Sequence, residues 1–182
     1  MGRPRKEDSL GLEIKNVIID AALAMIVEDG VVGATSRRIA ARAKVSPGTV
    51  TYHFTCMNEI IAAAFVRMSE GIAGIYYSKL REARDKAQAR EVVADLICGD
   101  LWKVSGQMLL IFELYSFVSR FPEYMHIMDD WMALSRKALQ LHFDERAARA
   151  IDALIEGFTI HNALGKTPVE RGEILRLIEA VS

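Results

Sequence analysis

Residues able to do chemistry are sparse in this sequence, and none falls into a catalytic frame. Ser105-Gly106 lacks the Gly-x-Ser-x-Gly turn that presents a nucleophilic serine. No Gly-rich loop is available to cradle a phosphate, and Cys56 and Cys98 have no partners at zinc spacing. His126 and Asp130 stand four apart, which puts both on one face of a helix, but a metal site needs a further ligand and His142 and His161 are far off in sequence. A surface pair is the plainer reading. Cys56 sits at a predicted helix start, which would suit a redox sensor; with no neighbouring cysteine, an inert thiol is the plainer reading. The sequence is therefore not read as an enzyme, and neither a cofactor nor a metal is expected.

The chemistry that does stand out is binding of a polyanion. Net charge over the 182 residues is only -1, which excludes a uniformly basic coat. Residues 1–53 nevertheless carry eight Lys or Arg against six acids, and the remainder carries fifteen against eighteen. Within the first part, Arg3, Arg5 and Lys6 precede any acid, and Arg37, Arg38, Arg42 and Lys44 lie in an acid-free stretch from 35 to 54. Two such clusters around a helical segment form an electrostatic footprint for nucleic acid. Gly2-Arg3-Pro4-Arg5-Lys6 has the composition of an arm that enters an A·T-rich minor groove; a tail with incidental charge fits equally well.

These residues need elements to hold them. From Leu12 to Glu28, Ile14, Val17, Ile18, Ala21, Ala22, Met25 and Ile26 recur at helical spacing, and Gly30 supplies the stop. Thr35 is placed to cap a short helix with Ile39, Ala40 and Ala43 inside, and Ser46 to cap another with Pro47 in its first position. Two short helices about three residues apart, behind a longer one, make a helix-turn-helix, whose second helix enters the major groove. Thr49 and Thr51 offer hydroxyls and methyls to base edges, and Gly48 lets backbone come close.

The run from Thr35 to Phe54, with its Ile39-Ala40 pair, Val45-Ser46, Gly48-Thr49 and aromatic end, resembles the helix-turn-helix of the tetracycline-repressor (TetR) family, over about residues 12–65. The resemblance implies an all-α homodimer that represses transcription and leaves a near-palindromic operator when a small molecule binds. Carried over by position, it implies that Thr35 and Arg37 touch phosphates, that Ser46, Pro47, Gly48, Thr49 and Thr51 face the groove, and that Tyr52 and His53 hold the backbone. Two departures stand out. Lys44 occupies a turn position where the family usually has glycine, so a lysine sits at positive φ or the turn is of another type. After Phe54 the family commonly has Lys-Ser-Lys, whereas Thr55-Cys56-Met57 brings no cation.

Beyond the head, a helical pattern from Asn58 to about Asp85 would span on the order of 40 Å and join head to body. Its apolar positions are Ile60, Ile61, Ala64, Phe65, Met68, Ile72, Ile75, Tyr76 and Leu80; Gly71 and Gly74 invite either a bend or close packing. Further helices are predicted near 88–98, 100–120, 122–142, 146–164 and 170–181. The expected fold is thus all-α, with a helix-turn-helix DNA-binding domain over 1–56, basic arm included, and a helical ligand-binding and dimerisation domain over 57–182.

In that body Trp102, Met108, Phe112, Tyr115 and Phe158 are the expected lining of a pocket for an apolar or amphipathic inducer, although such residues commonly form plain core. Glu113, in the same apolar run, would orient a cationic or hydroxylated ligand or pair with an arginine. Met128, Trp131, Ala147, Ile151, Leu154 and Ile155 are expected at a four-helix dimer interface. Charges interrupt every long apolar stretch, so no membrane span is expected, and the reading is of a cytoplasmic homodimer bound to double-stranded DNA. The alternatives are a ligand-independent or activating regulator of the same fold, and a helical scaffold whose head binds a protein.

Overall fold

Gly30 decides where the first helix stops. Its backbone (φ 70°, ψ 176°) is a conformation open to glycine and strained for any L side chain, and a Cβ there would come within 2.5 Å of the Glu113 carboxylate. Helix α1 (Lys6–Gly33) therefore breaks three residues before its end. The computed structural model describes residues 6–99 and 107–182; these form nine α-helices and no strand. After α1 come α2 (Ser36–Ala43), α3 (Pro47–His53) and α4 (Met57–Glu82). Then follow α5 (Lys86–Cys98), α6 (Gln107–Arg120), α7 (His126–Leu139), α8 (Glu145–Leu164) and α9 (Arg171–Val181).

The chain forms two compact units, Met1–Met68 with Leu109–Arg120, and Ser69–Met108 with Phe121–Ser182. In the first, Ile18, Ala22 and Ile26 of α1, Ile39 of α2, Val50 of α3, Ile60 and Phe65 of α4, and Leu114 of α6 are closed to solvent. Each of these side chains larger than alanine contributes roughly 1.5–3 kcal/mol on burial. Phe65 meets Phe117 with ring centroids 5.6 Å apart. Arg67 of α4 donates to Asp20 and to Asn16 of α1, both at 2.7 Å. In the second unit, Asp152 of α8 accepts from Ser135 at 2.6 Å and from Arg136 at 3.0 Å, fixing α7 to α8 over the buried Ile127, Leu139 and Ile151.

Four details differ from the sequence reading. Val17 is exposed and Ile19 is buried, because the buried face of α1, centred on Ile18, Ala22 and Ile26, is turned toward Ile19 and away from Val17. Ile75 likewise faces outward. The predicted 122–142 helix is a 3-10 turn, Pro122–Tyr124, followed by α7, because the turn after Phe121 tightens before the α-helix begins. Helix α4 runs through Gly71 and Gly74, and among the described residues no atom lies within 4 Å of a Cβ built on either, so neither glycine serves close packing there. Helix α4 is also long and apolar enough to cross a bilayer, with a mean hydropathy of 1.2 in its most apolar window. More than half of that window is buried in the fold and Arg67 and Glu70 interrupt the helix, the pattern of a core helix.

Candidate nucleic-acid interface

The head is capped as its sequence dictates. The Thr35 hydroxyl accepts from the Arg38 amide at 3.4 Å at the start of α2. Lys44 closes that helix in the left-handed region (φ 55°, ψ 37°), its amide on Ala41, and the following Val45 amide reaches Ala40 at 3.0 Å. The turn is therefore the glycine type, with a lysine in the glycine's place. Ser46 opens α3: its hydroxyl accepts from the Thr49 amide at 3.0 Å and lies 2.9 Å from the Thr49 hydroxyl. Pro47 takes the first helical position, where no N–H is needed. Phe54 turns inward, buried, beneath the Lys15 ammonium, which lies 5.3 Å from its ring centroid.

Outside this frame α3 presents a polar surface. Pro47, Gly48, Thr51 and Tyr52 are exposed, Tyr52 at 84% of its area, and Thr49 and His53 are half-buried. The Thr51 hydroxyl donates back to the Gly48 carbonyl at 3.0 Å, so toward a ligand it offers its lone pairs and methyl. Tyr52 and His53 stack edge to face at 5.1 Å. A Cβ on Gly48 would meet nothing closer than the Ser46 hydroxyl at 3.6 Å. The fold itself leaves room there for a methyl.

Charge is where the linear reading needs correction. The stretch 35–54 holds no acid, yet two of its four cations are neutralised by α1. Arg42 places both terminal nitrogens on Glu28, at 2.6 and 2.8 Å, which raises its pKa further. Arg38 pairs with Asp29 and donates to the Gly33 carbonyl at 2.8 Å. Among the described residues Arg37 and Lys44 have no carboxylate partner, and both are exposed. Lys44 is a functional candidate that the sequence reading left out of its site; its signal was its place in the acid-free run. Arg3 and Arg5 lie outside the described residues, as does the Lys6 side chain.

Residues 18–64 match the family model for bacterial regulatory proteins, tetR family. The chain is 39% identical to the regulator SCO7518 from Streptomyces coelicolor A3(2), an alignment covering 93% of this chain and 98% of that one with a TM-score of 0.88. The chain belongs to the TetR family. It is also 23% identical, over 85% of its length and 84% of the relative's, to the HTH-type transcriptional regulator BetI of Escherichia coli O157:H7. The multidrug binding protein EbrR, solved with proflavin, is 26% identical over 93% of this chain and 99% of its own, with a TM-score of 0.71. As a TetR-family member the chain is a DNA-binding transcriptional regulator with a helix-turn-helix head, and not an enzyme.

The other expected residues fall as follows. Trp102 lies outside the described residues. Phe112 and Tyr115 are half-buried on α6 in the first unit. Met108 and Phe158 are half-buried in the second, where the Phe158 ring stands edge-on to His161 at 6.4 Å. Glu113 does not pair with an arginine among the described residues; it lies against Gly30. Of the expected interface, Met128, Ala147, Ile151 and Ile155 are already buried within a single chain. Trp131 and Leu154 remain half-exposed.

Proposed function

We propose that this TetR-family regulator is a homodimeric repressor that binds a near-palindromic operator and is released by a small apolar or amphipathic molecule. The observation that carries the DNA half is the array of Gly48, Thr49, Thr51 and Tyr52 on an α3 capped by Ser46, flanked by Arg37 and Lys44, which have no carboxylate partner among the described residues. Thr35, Arg37, Lys44, Tyr52 and His53 would engage phosphates, joined by Arg3, Arg5 and Lys6; Ser46, Pro47, Gly48, Thr49 and Thr51 would face the groove. Reading two half-sites requires two heads roughly 34–36 Å apart, hence a twofold dimer. Helices α7 and α8 supply its proposed contact through Trp131 and Leu154, with Leu134 and Leu164 exposed on the same pair.

The ligand half rests on kinship: EbrR, similar over more than nine-tenths of this chain, is a multidrug binding protein solved with proflavin and with ethidium. Trp102, Met108, Phe112, Tyr115 and Phe158 are the proposed lining. Helix α4 belongs to both compact units, so it is a covalent path along which a bound ligand can change the spacing of two heads. A regulator of transcription works where the chromosome is, so the proposed location is the cytoplasm.

The test is operator binding by two variants on a panel of operator sequences selected from genomic DNA. Tyr52→Ala should weaken binding by a similar factor on every sequence, and Thr49→Ala should also relax base preference. Unchanged affinity for both removes α3 from the interface. Titrating proflavin against the operator complex tests release, expected at 5- to 150-fold weaker binding on saturation for a coupling of about 1–3 kcal/mol.

A further inference from the structure

The second unit contains a cavity of about 270 Å³ between the end of α5, the last turns of α8 and the segment leading into α9, and none of the residues proposed above lines it. Its size falls just below the roughly 300–1,000 Å³ of pockets that take drug-sized molecules. Ile97 and Thr159 line its inner part, both nearly closed to solvent; Ala163 and Arg171, exposed, lie at its mouth. Most of the wall is apolar, with Val169 completing it beside Asn162.

Three polar groups set what it can hold. The Thr159 hydroxyl is buried, only 3% of the residue being exposed, and has no hydrogen-bond partner among the described residues. A buried hydroxyl without a partner costs free energy that a ligand supplying one would return. The Asn162 carbonyl oxygen is taken by the Val169 amide at 3.0 Å, so its amino group is left to donate. The Arg171 guanidinium is held by Asp95 at 2.7 Å and Glu91 at 2.6 Å, two carboxylates to one cation, so the mouth repels anions. We infer that this cavity binds a small, neutral, largely apolar molecule that carries one hydroxyl or carbonyl group, hydrogen-bonded to Thr159.

The inference does not depend on an inducer binding elsewhere, and its test involves no DNA. Full-length protein labelled at isoleucine, valine and alanine methyls is titrated with benzyl alcohol and with toluene, which differ by the hydroxyl. Benzyl alcohol should produce saturable shifts at Ile97, Ala163 and Val169, and toluene should bind about 2- to 12-fold more weakly, the range of a net neutral hydrogen bond. Thr159→Val should erase that difference and leave the shifts at the same methyls. Ala163→Trp, a change at an exposed position that the fold tolerates, should block both probes. Absence of saturable shifts in the wild type overturns the site and leaves Thr159 to an internal water. Equal binding of both probes, unaltered in Thr159→Val, overturns the assignment of the hydroxyl.

Discussion

Arg42 holds Glu28 with both terminal guanidinium nitrogens, at 2.6 and 2.8 Å, across the angle between α2 and α1. Together with Arg38 on Asp29 it converts half of a basic run into a fastening between two helices of the head. Of the four cations in that run, Arg37 and Lys44 are thereby left as the charged groups for the proposed phosphate contacts. Arg37→Gln should reduce the slope of log affinity against log salt by about 0.9, the value for one lost phosphate contact on duplex DNA. Glu28→Gln, which frees the Arg42 charge, should strengthen DNA binding at low salt and steepen the slope. Fluorescence anisotropy at five salt concentrations measures both; equal slopes for all three proteins would exclude Arg37 from phosphate contact.

Lys44 combines a strained backbone with an exposed ammonium. Lys44→Gly should separate the two roles. Relief of the left-handed strain, about 1–2 kcal/mol, is partly offset by about 0.5–1 kcal/mol of extra unfolded-chain entropy, so stability should rise by up to about 1.5 kcal/mol. DNA affinity should fall as a cation is lost. Urea unfolding and operator titration of the same preparation check the pair; a loss of stability would contradict the reading of the turn.

At Gly48 the fold has room for a methyl, because the nearest atom is the Ser46 hydroxyl at 3.6 Å. Gly48→Ala should therefore fold normally and gain up to about 1 kcal/mol from helix propensity. If α3 lies in the groove, the same methyl meets DNA and affinity should drop at least tenfold. A stable variant with wild-type affinity would show that the glycine faces no ligand.

Glu59 links the end of the head motif to α4, accepting from the Thr55 amide at 2.7 Å and the Thr55 hydroxyl at 3.2 Å. These hydrogen bonds hold its carboxyl below the ordinary value. A carboxyl with a depressed folded pKa stabilises the fold above its unfolded pKa of about 4.3 and loses that contribution as pH falls through the folded value. The melting-temperature difference between wild type and Glu59→Gln should be constant from pH 5 to 7 and shrink below about pH 4. A difference that grows on acidification would reverse the assignment.

The sequence alone determined the local architecture of the head, because its signals are short-ranged. Thr35 and Ser46 act on amides three residues on, Pro47 fits the first helical position and Gly30 acts on its own φ, whereas the type of turn at Lys44 was decided by the fold. The periodic apolar residues of α4 and α8 likewise announce helices from neighbours one turn apart. Partners distant in sequence were settled only by the fold. The acids that neutralise Arg38 and Arg42 lie nine and fourteen residues away, and both sit on α1. Glu113 was expected beside a ligand or an arginine and lies against Gly30, some eighty positions earlier. Ile151 and Ile155, apolar at helical spacing, read equally well as core or as interface, because hydrophobicity has no direction until other helices pack against it. The cavity beside Thr159 had no linear signal at all: a hydroxyl shows a missing partner only once every neighbouring group has been placed.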